Sequence, residues 1–148
     1  MALDKYGARE ADSQRRLPAR EGRDSVFAGW KSAGFDAEVL WRRVDGDREL
    51  LQELIAVFEK EGPELLEHIQ AAIGAGDAMA LERAAHKIKG TLLQFSAGAA
   101  AATALKLEET GRAGTLSGAE ETLAALRRQV EWLLDSLRAL ARVMGARA

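Results

Sequence analysis

Between Leu51 and Met144 the apolar residues recur at steps of three and four, and this period limits the possible folds more than any other feature of the chain. Leu51, Leu54, Ile55, Phe58, Leu65, Leu66, Ile69 and Ile73 form one stripe. Leu81, Ala85, Ile88, Leu92 and Phe95 form a second, and Leu123, Leu126, Val130, Leu133, Leu137, Leu140 and Met144 a third. Such a repeat gathers its members on one side of a helix, so each segment has one face to bury. Composition agrees: Ala and Leu fill 49 of 148 positions, whereas Val, Ile and Thr fill 15, too few β-branched residues to supply a sheet. The expected fold class is all-α.

The punctuation between the stripes sets the organisation. A short helix is expected after Asp36, with Val39, Leu40 and Val44 on its apolar side and Gly46 at its end. Asp47 then caps a long helix whose stripe keeps its phase across Gly62 and Pro63, which predicts one bent rod ended by Gly74 and Gly76. Asp77 caps the next helix. An alanine-dense helix over residues 99–110 follows, with Gly111 and Gly114 as its stop, and Ser117 with Glu120 reads as a capping box for the last helix. Short connections between long one-faced helices predict an antiparallel up-and-down four-helix bundle over residues 35–145, with the short extra N-terminal helix across one end. Residues 1–34 carry seven basic and five acidic side chains and Pro18 without sustained periodicity. They read as a flexible N-terminal tail or linker, with a short helix over residues 25–32 whose Val26, Phe27 and Trp30 can dock on the body. A partner-binding arm is the alternative.

Several chemistries are excluded at this level. The chain has no cysteine, hence no disulfide, thiolate ligand or thiol nucleophile. With 21 basic and 23 acidic residues, its net charge of −2 gives no drive toward nucleic acid or an anionic membrane. No run approaches a membrane span and no basic-then-apolar signal pattern opens the chain, so a cytoplasmic location is expected. There is no Gly-rich phosphate loop followed by Lys-Ser/Thr and no acidic Mg²⁺ cluster, hence no route to phosphate from ATP. The two histidines, His68 and His86, form no ligand grouping, and no metal site is expected.

On a helical wheel, Leu81, Ala85, Ile88, Leu92 and Phe95 define the inward side of the third helix, and His86 lies in the middle of the opposite arc with Met79, Glu82, Lys89, Gly90 and Leu93. A hydrated imidazole there is a free nucleophile near neutral pH. Gly90, one turn beyond, costs the helix about 1 kcal/mol relative to Ala with no turn to require it, and its bareness clears space for an approaching molecule. Lys89 sets an ammonium on the same side, suited to an anion attached to the ring. Met79, Leu93 and Ala97 add an apolar collar of the kind found at docking surfaces, completed by Arg83, Lys87 and Gln94. Glu82 is a candidate hydrogen-bond partner for the ring, or a partner of Lys89 or solvent. His68, at the margin of its stripe, reads as structural or solvated.

The string Ala84-Ala85-His86-Lys87-Ile88-Lys89-Gly90, followed by Phe95-Ser96-Ala97, resembles the signature of the histidine-containing phosphotransfer (HPt) domains of two-component phosphorelays. The resemblance extends to Phe35-Asp36, Gly46-Asp47, Gly62-Pro63-Glu64-Leu65-Leu66, Ala75-Gly76-Asp77, and Leu107-Glu108 through Gly111-Arg112-Ala113-Gly114. It implies an HPt-like bundle in which His86 is the phosphoryl acceptor through Nε2, Lys89 the phosphate-side lysine and Gly90 the small approach residue. It also implies that the partners are a response-regulator receiver domain and a hybrid histidine kinase, that the domain acts as a monomer without a cofactor of its own, and that Mg²⁺ belongs to the receiver. The protein is then a phosphotransfer intermediate without autokinase activity, free-standing or the terminal part of a hybrid kinase. Two positions depart from the family pattern: Ser96 stands where Gly is usual, and Thr91-Leu92 replaces a pair of small residues. The alternative is a helical adaptor bundle that binds a receiver or kinase without accepting phosphate.

Overall fold

Three aspartates start three helices. The carboxylates of Asp36, Asp47 and Asp77 accept from the backbone N–H of Val39, Leu50 and Ala80 at 3.2, 3.1 and 3.0 Å, each satisfying a donor that the first helical turn leaves open. A computed structural model describes residues 35–145, and among these the chain forms five helices and no strand. They are α1 (Ala37–Arg43), α2 (Arg48–Ala75), α3 (Ala78–Gln94), α4 (Gly98–Arg112) and α5 (Ala119–Gly145). The sequence expectations for residues 1–34 lie outside the described residues.

Helix α2 packs on α3 and α5, and α4 packs on the same two, which closes the four long helices into a ring around one core. The three stripes line it: every member is buried except Leu54, which stands 37% exposed. Leu54 falls to the side of α2 because Leu51, Ile55 and Phe58 already fill the inward arc. Pro63 lies inside an unbroken α2 and faces solvent, where its missing N–H costs one helical hydrogen bond. Gly74 lies within α2, and Gly76 alone makes the left-handed exit at φ 68°.

Helix α1 crosses the end of the bundle where α3 turns into α4. Phe35 sets its ring edge-on to Trp132 of α5, Trp41 and Leu40 are buried, and Asp36 N–H donates to Ser96 O at 3.1 Å. Arg43 Nη1 donates to the carbonyls of Leu93 and Gln94 at 2.8 and 3.1 Å, placing a cation on the negative end of α3.

The exit of α3 explains the unusual Ser96. Its N–H donates to Leu93 O at 3.0 Å and that of Ala97 to Leu92 O at 3.1 Å, the paired bonds of a Schellman cap, with Ser96 at φ 57° in the left-handed position that glycine favours. The serine keeps the glycine backbone and leaves its buried hydroxyl without a partner. At the start of α5 the expected capping box does not form: the helix opens at Ala119 behind Gly118 at φ 76°, so Ser117 stands one residue too early to cap it.

Gly111 does not stop α4 as the sequence suggested; it is buried inside the helix. A Cβ there would lie 2.6 Å from Ala78 O and 2.6 Å from Glu82 N. The bare position lets α4 lie directly against the backbone of α3.

Two substitutions test these readings by urea denaturation. Ser96→Gly relieves the left-handed strain and the orphaned hydroxyl, and a stability gain of about 0.5–1 kcal/mol is expected after the added chain entropy. Gly111→Ala is expected to destabilise by about 1–3 kcal/mol. An outcome following helix propensity, which favours alanine by about 1 kcal/mol, would contradict the close approach.

Candidate functional site

His86 projects from the middle of α3 with its side chain 68% exposed, above a shallow groove lined by Met79, Glu82, Arg83 and Glu108. The inward face of α3, Leu81, Ala85, Ile88 and Leu92, is fully buried and fixes the helix rotation that turns the imidazole outward. Asp77 anchors one end of the helix and Arg43 the other.

Beneath the ring lies a residue to which sequence reasoning gave no role. Glu108 sits on the buried side of α4 among Ala101, Ala104, Leu107 and Gly111, with its side chain 5% exposed. Its Oε1 takes the Lys89 ammonium at 2.7 Å, and its Oε2 faces His86 Nδ1 at 2.9 Å and Arg112 Nη2 at 2.9 Å. Arg112 also donates through Nε to Glu82 Oε2 at 3.1 Å. A carboxylate this buried is tolerable because cations and an N–H surround it. The Lys89 hydrogen bond holds the Glu108 carboxyl below its usual range, assisted by His86 and opposed by burial. As a carboxylate Glu108 only accepts, so Nδ1 carries a ring proton, an arrangement that in the neutral ring leaves the lone pair on Nε2.

The structure brings most of the expected surface together around that ring. Arg83, Lys87, Gly90 and Gln94 are exposed, and Met79 and Leu93 are large apolar side chains open to solvent at 67% and 50%. A Cβ on Gly90 would meet nothing within 4 Å, so no contact inside the chain requires glycine there. Two expectations are corrected. Ala97 is not part of the collar: it is 3% exposed, because α3 ends at Gln94 and the left-handed turn at Ser96 folds the chain under before Ala97 is reached. Glu82 binds neither the ring nor Lys89 but Arg112, since Glu108 reaches both of those groups first. Lys89 is tied down by Glu108 and only partly exposed. His68 is exposed on α2. Among the described residues no group of three or more His, Asp or Glu side chains is arranged to hold a metal ion, and no helix is long and apolar enough to cross a membrane.

The lowered Glu108 pKa has a consequence for stability against pH. Between the folded and unfolded pKa values the unfolded chain binds the extra proton, so the contribution of Glu108 is complete above the unfolded carboxylate range and is lost as pH falls through the folded value. Urea midpoints of the wild type and Glu108→Gln should therefore differ most near neutral pH and converge under acid. A gap independent of pH would show that the charge of Glu108 is not what matters.

The family model described as Hpt domain matches residues 53–142. Among solved structures, histidine-containing phosphotransfer protein B from Pseudomonas aeruginosa PAO1 is similar, at 27% identity and a TM-score of 0.69, over 74% of this chain and 95% of that one. No curated protein sequence matches significantly. Hpt domains interact with receiver domains in phosphorelays, and the helical ring described above is the fold of that structural match. With the family model spanning most of the bundle and the outward histidine at its centre, this chain belongs to the Hpt family and is a histidine phosphotransfer domain of a phosphorelay.

Proposed function

We propose that His86 is the phosphoryl acceptor and that it attacks through Nε2. The observation that carries this reading is the 2.9 Å contact between Nδ1 and the buried Glu108 carboxylate on a ring otherwise open to solvent. The Nε2 lone pair forms a bond to the phosphorus of an aspartyl phosphate on a receiver domain. The acyl P–O bond breaks, and its electron pair leaves with the receiver's carboxylate. The imidazole thereby gains positive charge while keeping its Nδ1 proton, and the carboxylate of Glu108 is already in place to balance it. Attack on the phosphohistidine by a second receiver's aspartate reverses these bonds and returns the ring to its neutral tautomer.

Phosphoryl transfer through a loose in-line transition state depends on positioning and charge, and this chain contributes both. Glu108 orients the ring, and Gly90 leaves the helix bare one turn away. Exposed Met79 and Leu93 supply apolar contact area, with Arg83, Lys87 and Gln94 around them. Lys89 serves the site first through Glu108 and second as a charge beside the incoming phosphate. Mg²⁺ and the remaining phosphate ligands belong to the receiver. A hybrid kinase upstream, a monomeric domain and a cytoplasmic setting complete the reading.

The test is transfer of label from a phosphorylated receiver in the presence of Mg²⁺. His86→Gln should abolish acid-labile label on this chain, His68→Gln should leave it, and label that survives loss of His86 would overturn the assignment. Gly90→Leu should slow transfer while helix content by circular dichroism stays unchanged. Undiminished transfer in that variant would show that close approach at Gly90 is not needed.

A further inference from the structure

Three cations border the His86 ring, and two of them are already committed. Lys89 Nζ lies 2.7 Å from Glu108 Oε1, and Arg112 is held by Glu82 at 3.1 Å and by Glu108 at 2.9 Å. The third is Arg83, which lines the groove beside the imidazole together with Met79, Glu82 and Glu108. Arg83 is exposed, and among the described residues it makes no hydrogen bond or ion pair.

The committed pair has nothing to spare for an incoming anion. Lys89 and Arg112 balance Glu82 and Glu108 charge for charge, whereas a phosphoryl group brings between one and two further negative charges at neutral pH. Drawing Lys89 away would strand a carboxylate whose side chain is 5% exposed, a costly exchange. Arg83 gives up no protein partner by turning to phosphate.

Its position suits that task. Around α3, Glu82 and Lys89 turn toward α4, where their partners lie, and Arg83 stands on the other side of His86. Nδ1 is drawn to Glu108 on the α4 side, and Nε2 is the nitrogen across the ring. Residues three apart on a helix have Cβ atoms about 5–6 Å from each other. Helical side chains also lean back toward the N-terminus, which carries the ring over the turn that holds Arg83. Rotation about the arginine's own bonds then suffices to bring its guanidinium to the phosphoryl oxygens.

We infer that Arg83 binds the phosphoryl group once it is on His86 Nε2, while Lys89 stays with Glu108. The inference rests on the proposed acceptor role of His86 and deepens it by naming the group that holds the phosphate. Arg83 makes and breaks no covalent bond. Its ion pair exists in the phosphorylated domain and not in the free one, so it favours retention of the phosphoryl group on this chain.

The experiment compares the full chain with Arg83→Gln and Arg83→Lys. At equilibrium with a phosphorylated receiver and Mg²⁺, Arg83→Gln should move the phosphoryl group toward the receiver by about three- to tenfold, and Arg83→Lys should restore part of the loss. The phosphorylated chain is then freed of receiver and followed by phosphorus NMR against pH. In Arg83→Gln the last proton of the phosphoryl group should come off at higher pH, because a neighbouring cation favours the dianion. Nitrogen NMR of the unphosphorylated ring should show the same tautomer as in the wild type, since Arg83 does not touch Glu108. An unchanged phosphoryl titration would overturn the inference, and with a shifted equilibrium it would show that Arg83 acts only in receiver docking. A changed tautomer would also overturn it, by making Arg83 part of the Glu108 arrangement. Label that persists in His86→Gln would overturn the acceptor assignment, and this inference with it.

Discussion

A buried carboxylate between two helices organises this molecule. Glu108 is almost entirely removed from water, a position that an unpaired charge could not hold, and Lys89, Arg112 and His86 together make it tenable. The cluster joins α3 to α4, and it can form only because Gly111, three residues on, allows the two backbones to meet without a side chain between them. Packing at one position and charge at another are thus a single arrangement. The ring's tautomer, the placement of Lys89 and the course of α4 all follow from it.

Much of the fold was legible because burial imposes a period on the sequence. The stripes of α2, α3 and α5 identified the large apolar side chains that these helices bury, and three capping aspartates placed three helix starts to the residue. Punctuation by glycine was less readable. Gly74 and Gly111 lie inside helices, since a glycine that permits contact and a glycine that ends a helix look alike in sequence. Ser117 was misread for the related reason that Gly118 supplies the turn on its own.

At the site, the outward placement of His86 and its exposed neighbours could be read from angles around one helix. The ring's partner could not, because Glu108 belongs to another helix and no local spacing reports a contact 22 residues away. One signal did exist: a carboxylate on the buried stripe of an alanine-dense helix is costly unless a cation answers it. The misplacement of Ala97 came from extending a wheel beyond the end of its helix. The left-handed turn at Ser96 sends Ala97 into the core instead.

Helix α3 is pinned at both ends, by the carboxylate of Asp77 at its start and by the guanidinium of Arg43 on its last carbonyls. The imidazole thus stands on a fixed post and has only its own bond rotations to use. A stationary acceptor presents the same geometry to a donor arriving and to a recipient departing, with no hinge to favour either. In the proposed exchange, net flow is then set by the equilibrium constants of the two transfers and by the supply and drain of phosphorylated receivers, and no movement of the helix is needed for either.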